Sequence, residues 1–175
     1  MEHAAPEGSG AMSAVLGMDA AVIENVLNGR EGVSIANYNC PGQIVITGEA
    51  AAVAEAGTAL KEAGARRVLP LKVSGPFHSP MMRPAGEELA KVFARVSMNP
   101  LKIPYVANIN AEVITDCGRI EGLLVEQVSG SVRWQQSVET MIREWVDTFV
   151  EIGPGKTLTG FLRKIDKNVK AYHIG

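Results

Sequence analysis

The chain has 175 residues, of which 46% are hydrophobic, 21% charged and 5% aromatic. This length and apolar content are typical of a chain that buries a hydrophobic core, and they exclude an intrinsically disordered polypeptide. The 17 Lys and Arg residues nearly balance the 19 Asp and Glu residues, so the formal net charge is only −2. Such a balance excludes the strong positive field with which proteins bind nucleic acid or an anionic membrane.

Targeting and redox signals both predict a cytoplasmic protein. No stretch approaches the ~18 consecutive apolar residues of a membrane-spanning helix. The N-terminal residues MEHAAP have neither the basic nor the apolar region of a secretory signal. Cys40 and Cys117 match no metal-ligand spacing, so we expect no metal or other cofactor. Two lone thiols in a chain of this size favour a reducing compartment.

Residues 8–72 are predicted to form a unit with the element order β-α-β-β-α-β. Short apolar runs bounded by Gly, Pro and Asn predict the strands, and apolar residues at helical spacing predict the helices. In chain order, these elements are a strand at 11–17, a helix capped by Asp19, strands at 33–38 and 43–47, a helix at 50–63 and a strand at 67–71. This order is that of a split, ferredoxin-like subdomain.

Residues 73–175, with residues 1–7, are predicted to form part of an α/β core. The predicted elements are a helix with Ser79 as its N-cap and Pro80 as its first residue, an extended run at 103–107, helices at 119–128 and 132–145, a strand at 148–152, a helix at 156–165 and a strand at 169–174. Alternating helices and strands indicate a mostly parallel sheet. About three strands are too few to cover these helices. We therefore expect exposed apolar faces at Val138, Ile142 and Trp145, which favour self-association or binding of a complementary chain.

His78 is the first candidate for chemistry. It lies in the loop VSGPFHSP, residues 73–80, between a predicted strand and a predicted helix. A loop supported on both sides is a common location for functional side chains, and a histidine there can act as a general base. A purely local hydrogen-bonding role remains the alternative. His3 and His173 lie near the chain ends and are predicted to be surface residues.

The run IGPGKT, residues 152–157, resembles a phosphate-binding loop only superficially. A true phosphate loop requires a glycine where this chain has Val150. The run is therefore interpreted as a strand-to-helix turn with a solvated Lys156. Basic residues elsewhere, including Arg66 and Arg67, fit a solvated face, and the functional alternative is a docking surface for an acidic partner.

Four segments together resemble the malonyl-CoA–acyl carrier protein transacylase family. They occur in the family's order and cover essentially the whole chain: APEGSGAM at 5–12, NYNCPGQIVITG at 37–48, VSGPFHS at 73–79 and EIGPGKTL at 151–158. The resemblance is to the C-terminal part of the family pattern. It implies a hydrolase-like α/β core that carries an inserted ferredoxin-like subdomain.

The resemblance also implies an activity. Family members use a serine in a Gly-His-Ser-Leu-Gly elbow to take malonyl from CoA and pass it to the phosphopantetheine thiol of acyl carrier protein. CoA thioester is then a substrate rather than a cofactor. By this resemblance, His78 is the general base, the backbone carbonyl of Gln127 orients it, and Phe77 favours malonyl over methylmalonyl. Arg66 and Arg67 would dock the carrier protein.

One departure from the family pattern limits this expectation. The chain contains no Gly-x-Ser-x-Gly, and the family's carboxylate-binding arginine belongs to the same missing N-terminal portion. We therefore expect a fragment or split half that is inactive alone. A non-catalytic module that binds carrier protein is the main alternative. A small ferredoxin-like enzyme such as an acylphosphatase is less well supported, because residues 16–19 lack the arginine of an anion cradle.

Overall fold

The computed structural model describes residues 8–73 and 75–175. Its first part, the small unit, contains six elements: β1 (Gly10–Leu16), α1 (Ala20–Leu27), β2 (Val33–Cys40), β3 (Gln43–Glu49), α2 (Ala50–Glu62) and β4 (Arg67–Pro70). The strands form one antiparallel sheet in the order β2-β3-β1-β4. This confirms the predicted element order, and β2 and β4 lie at the edges of the sheet.

The sheet of the small unit is buried on both faces. On one face, Val15, Ile44 and Ile46 pack with Ile23 of α1 and Leu60 of α2 in the main core. On the other face, a second buried cluster packs against the ring of Phe77, and its members are Met12, Ala14, Ala36 and Val45. The second face is therefore covered by chain that follows the small unit, which links the two parts through apolar contact.

The second part, the large unit, contains ten elements. They are a 3₁₀ turn (Pro80–Met82), α3 (Arg83–Phe93), β5 (Tyr105–Val106), β6 (Val113–Ile114), a 3₁₀ turn (Cys117–Arg119), α4 (Ile120–Ser129), α5 (Trp134–Arg143), β7 (Thr148–Ile152), α6 (Thr157–Ile165) and β8 (Lys170–Ile174). Strands β7 and β8 are parallel, and β5 and β6 form an antiparallel pair. The mixed α/β class is confirmed. No helix within the described ranges is long and apolar enough to cross a membrane.

The structure corrects two predicted helix caps. Asp19 occupies the N-cap position of α1, but its side chain makes no capping hydrogen bond. Ser79 precedes the 3₁₀ turn, and its hydroxyl donates backwards to the carbonyl of Pro76 at 2.7 Å. Short polar side chains bond to whichever nearby backbone group the turn presents. For Ser79, that group is the carbonyl of Pro76, which lies before the helix and not within it.

The predicted exposed apolar face is corrected at Val138 and Ile142 and confirmed at Trp145. Val138 is fully buried and Ile142 is half-buried, while Trp145 is 93% exposed. The extended apolar face lies instead on the β7–β8 pair, where alternate residues are exposed: Val150, Ile152, Tyr172 and Ile174. Parallel sheets are normally covered on both faces. The periodicity of α5 alone did not reveal that its apolar stripe is already covered within this chain.

The connection between α4 and α5 joins the two units. Val132 pairs with edge strand β2, since its N–H donates to Ala36 O at 2.7 Å and its carbonyl accepts from Tyr38 N at 2.9 Å. The register of β2 against β3 shifts at Ala36, between Ile35 and Asn37. Such a bulge interrupts regular pairing in the sheet. Here the carbonyl of the bulged residue bonds to the large unit.

Trp145 has an unusual combination of backbone and side chain. It follows α5 with a φ of 66°. Its N–H donates to Ile142 O, and the next N–H, that of Val146, donates to Met141 O. This is a Schellman ending, in which the left-handed position favours glycine. Its side chain is almost fully exposed, so packing does little to offset the backbone strain.

We therefore predict that Trp145→Gly stabilises the protein. Glycine has no penalty in the left-handed conformation, but it loses more conformational entropy on folding than tryptophan does. The difference between these two effects should raise the free energy of unfolding by ~0.5–1 kcal/mol. Urea unfolding of both proteins measures this. Trp145→Ala is the matched control, because alanine removes the same ring and keeps the strain, so it should gain nothing. A loss of stability in the glycine variant would show that the indole makes stabilising contacts.

Candidate active site

Residues 75–79, directly before the first 3₁₀ turn, form a loop that presents His78. Phe77 N–H donates to Gly75 O at 3.0 Å, and the buried Ser79 hydroxyl donates to Pro76 O at 2.7 Å. Between these bonds, His78 has a φ of 59°. Non-glycine residues seldom adopt this left-handed conformation, and where the surroundings enforce it the residue often has a function.

The loop rests on the beginning of β1. A Cβ at Gly10 would overlap the ring of Pro76, so the close approach requires glycine at this position. Next to it, the ring of Phe77 packs on the second face of the small sheet. These contacts explain how a short loop with a strained backbone keeps a defined position. Phe77 is half-buried and directly adjoins the histidine.

The imidazole of His78 is held from the other side by α4. Its Nδ1 lies 3.0 Å from the carbonyl oxygen of Gln127. Helix α4 ends at Ser129, so this carbonyl belongs to the last helical turn, whose carbonyls have no partner within the helix. A carbonyl can only accept, and Nδ1 must therefore carry the proton. In the neutral imidazole, Nε2 is then the nitrogen that has the free lone pair, and no hydrogen bond from a described residue reaches it.

Arg66 and Arg67 lie at a different place, in an open basic cleft of about 420 Å³. The structure adds Lys164 of α6, whose Nζ lies 3.5 Å from Oε1 of Gln43, another residue that lines the cleft. Within the described ranges, none of these three cations has a carboxylate at ion-pair distance. Lys164 lies far from Arg66 and Arg67 along the sequence, and the fold brings the three charges together.

The basic cleft and His78 lie towards opposite ends of β1. Arg67 pairs with Leu16 at the end of the strand, whereas the loop with His78 rests on Gly10 at its beginning. The seven residues of β1 extend over about 20 Å. The proposed base and the proposed docking residues are therefore separate sites. In the described parts of the chain, no group of three or more His, Cys, Asp or Glu residues is placed to hold a metal ion.

A carboxylate near the end of β7 binds the beginning of α6 across the turn that joins them. The Glu151 carboxylate accepts from Leu158 N–H at 3.1 Å, and from the N–H and hydroxyl of Thr159 at 2.8 and 2.6 Å. These groups lie at the beginning of α6, where a phosphate loop would bind phosphate. The prediction of a strand-to-helix turn is thus confirmed, with Lys156 exposed. The amides that would bind a phosphate already bind a glutamate.

Comparison with known proteins identifies the chain's relatives. The model of the acyl transferase domain family matches residues 1–174. The chain belongs to this family. The malonyl CoA-acyl carrier protein transacylase of Bacillus subtilis is 45% identical over 178 residues, which cover 99% of this chain and 56% of that relative. The chain therefore spans about half the length of the curated relatives it matches.

Solved structures show the same fold for this acyl transferase domain. A transacylase structure from Streptococcus pneumoniae superposes with a TM-score of 0.94 at 45% identity, covering 99% of this chain and 58% of that one. A chain in the structure of a type II polyketide acyl carrier protein in complex with its malonyl-transacylase matches with a TM-score of 0.91 at 38% identity, covering 99% of this chain and 57% of that one. The resemblance read from the four sequence segments is confirmed.

We predict that Glu151 stabilises the fold only while it is ionised. The hydrogen bond from the Thr159 hydroxyl, helped by the amides of Thr159 and Leu158, lowers the pKa of Glu151 below its ordinary 4.5. Because the pKa is lower in the folded chain than in the unfolded chain, this stability is present above the ordinary value. It is lost as the pH falls through the folded value.

Urea unfolding of Glu151→Gln and wild type at several pH values tests this. The variant should be less stable near neutral pH, and the difference should shrink below pH 4.5. Glu55→Gln is the control, since Glu55 is an exposed glutamate on α2 outside both ion pairs of the described chain. A difference that stays constant with pH would contradict a role of the charge.

Proposed function

We propose that this chain is the part of a malonyl-CoA:acyl carrier protein S-malonyltransferase that supplies the general base. The observation that carries the proposal is the bond from His78 Nδ1–H to Gln127 O at 3.0 Å, which leaves Nε2 free to accept a proton. In this proposal, residues 8–72 are the small subdomain, and residues 73–175 with 1–7 are the partial α/β core. The two free cysteines fit the cytoplasm, where fatty acid synthesis would use the product.

In the proposed reaction, His78 acts twice. Nε2 takes the proton of a serine hydroxyl as the serine oxygen attacks the thioester carbon of malonyl-CoA, and the imidazolium returns this proton to the departing CoA thiolate. The same nitrogen then takes the proton of the phosphopantetheine thiol as the sulfur attacks the acyl carbon of the acyl-serine, and it returns this proton to the serine oxygen as the acyl–oxygen bond breaks. The partial negative charge at the C-terminal end of α4 and the Gln127 carbonyl stabilise the transient imidazolium.

Phe77 is proposed to set acyl selectivity. Its ring adjoins His78 and is supported from behind by the apolar cluster of the small sheet. A ring with this support cannot easily move aside for an α-methyl branch. Malonyl would therefore react in preference to methylmalonyl.

The serine itself is not supplied by this sequence, which contains no Gly-x-Ser-x-Gly. We propose that a complementary polypeptide with that motif covers the exposed β7–β8 face, where Ile152 is 80% and Ile174 60% exposed. In its absence, the same face would favour self-association. The isolated chain should then form no acyl-enzyme.

The first prediction for this function concerns His78. The chain alone, incubated with labelled malonyl-CoA, should carry no stoichiometric label.

A fusion with the serine-elbow half of the Bacillus subtilis relative should transfer malonyl, and His78→Ala in the fusion should slow single-turnover acylation by ~10²–10⁴-fold. His173→Gln is the control, because this histidine bonds to Gly153 O in the turn after β7. A loss below about tenfold in the His78 variant would leave it a local hydrogen-bonding role.

We also propose that the basic cleft docks acyl carrier protein. Arg66, Arg67 and Lys164 are exposed and lack acidic partners among the described residues, so an acidic surface can pair with them. A solved relative is a complex with an acyl carrier protein. The separation of about 20 Å from the histidine loop suits a substrate carried on a long phosphopantetheine arm.

Arg67→Glu should weaken binding of holo-acyl carrier protein by about threefold to tenfold and reduce its salt dependence. Arg95→Glu, a charge reversal at an exposed arginine beyond α3, should change neither. Titration at two ionic strengths measures both effects. Equal affinities for all three proteins would exclude the cleft. Loss of binding at Arg67 together with an inactive fusion would favour the non-catalytic binding module.

A further inference from the structure

Ser131 makes a hydrogen bond between the two units that the proposed chemistry does not yet use. Its hydroxyl donates to the carbonyl of Ile35 on β2 at 2.6 Å. Ile35 immediately precedes the bulged Ala36, whose carbonyl accepts from Val132 N–H. One side-chain bond and two backbone bonds therefore hold the α4–α5 connection against the edge of the small sheet.

Ser131 is close in sequence to Gln127, whose carbonyl accepts the hydrogen bond from His78. Gln127 lies four residues earlier, in the last turn of α4, and its Nε2 lies 3.2 Å from Gly130 O. A Cβ at Gly130 would overlap the side chain of Ile109, so the chain between Gln127 and Ser131 is tightly packed. A displacement at Ser131 would therefore be transmitted to the carbonyl of Gln127.

The two partners of the histidine bond come from different supports. His78 lies in a loop that rests on β1 of the small unit, whereas Gln127 belongs to α4 of the large unit. The distance from Nδ1 to the carbonyl oxygen depends on how the units sit together. A hydrogen bond weakens steeply when this geometry is lost. The 3₁₀ turn and α3 that follow His78 also pack on α4. Contacts that hold α4 against the small unit therefore add to this packing in fixing the proton position on His78.

We propose that Ser131 is a positioning residue that maintains the Nδ1–H tautomer of His78 through the Gln127 carbonyl. The effect of Ser131 on the tautomer is a property of this chain alone. The importance of that tautomer for acyl transfer rests on the proposed function. Without a fixed acceptor at Nδ1, a neutral imidazole in water favours the proton on Nε2. That tautomer cannot accept a proton at Nε2, so a loosened contact would deplete the reactive form.

Nitrogen-15 NMR of the histidine side chains in the full chain tests this directly. The shifts and couplings of Nδ1 and Nε2 report which nitrogen is protonated, and His78→Gln identifies the relevant signals. Ser131→Ala should raise the ratio of Nε2–H to Nδ1–H tautomer by about threefold to tenfold, the range expected for one net hydrogen bond. Ser131→Thr retains the hydroxyl and should restore the wild-type ratio.

Ser129→Ala is the matched control. This half-buried serine also lies at the end of α4, and its side chain makes no hydrogen bond in the described chain, so its removal should leave the ratio unchanged. If Ser131→Ala fails to fold, Ser131→Cys replaces it, since a thiol of similar size is a weaker donor and should give a smaller shift in the same direction.

A folded Ser131→Ala or Ser131→Cys variant with the wild-type tautomer ratio would overturn the proposal. So would an equal shift in Ser129→Ala, because it would show a general loosening of the helix end. These outcomes are independent of the fusion assay. An unchanged tautomer with a large activity loss in His78→Ala refutes the role of Ser131 alone, and a shifted tautomer with an inactive fusion refutes the proposed function alone.

Discussion

The hydrogen bond between His78 Nδ1 and the Gln127 carbonyl, 3.0 Å long, is the constraint on which the candidate site depends. It uses a carbonyl that the end of α4 leaves without a helical partner. One interaction therefore satisfies an orphan backbone acceptor and fixes the proton on one ring nitrogen. Because the loop with His78 rests on the small unit while Gln127 lies on α4 of the large unit, the packing of the units is part of the site.

That packing depends on how the edge of the small sheet is covered. An edge strand exposes N–H and carbonyl groups that need hydrogen-bond partners. On β2, Val132 pairs with two of these groups, one of them the carbonyl of the bulged Ala36. The same device that protects an edge thus brings α4 close to the loop with the histidine. The β7–β8 pair shows the opposite situation, since Ile152 and Ile174 remain exposed there.

Positive potential is neutralised at one place in this chain and left without an acidic partner at another. At the beginning of α6, Glu151 accepts hydrogen bonds from the amides of Leu158 and Thr159, so these two donors are already satisfied. In the basic cleft, Arg66, Arg67 and Lys164 lie together with no carboxylate at ion-pair distance in the described ranges. An external acidic partner is therefore expected at the cleft and not at the turn, although the turn has the more familiar sequence motif.

The sequence by itself determined the order of the elements and the loop that presents His78, because apolar periodicity and Gly and Pro punctuation are local properties. It also predicted Gln127, through a resemblance that the comparisons confirm at the level of the family. Only the tertiary structure decided that Val138 is buried and that Ser79 bonds backwards to Pro76. The same is true of the contact between Ser131 and Ile35, 96 positions apart. Periodicity tells which face of an element is apolar or polar, but which other element meets that face depends on the path of the whole chain.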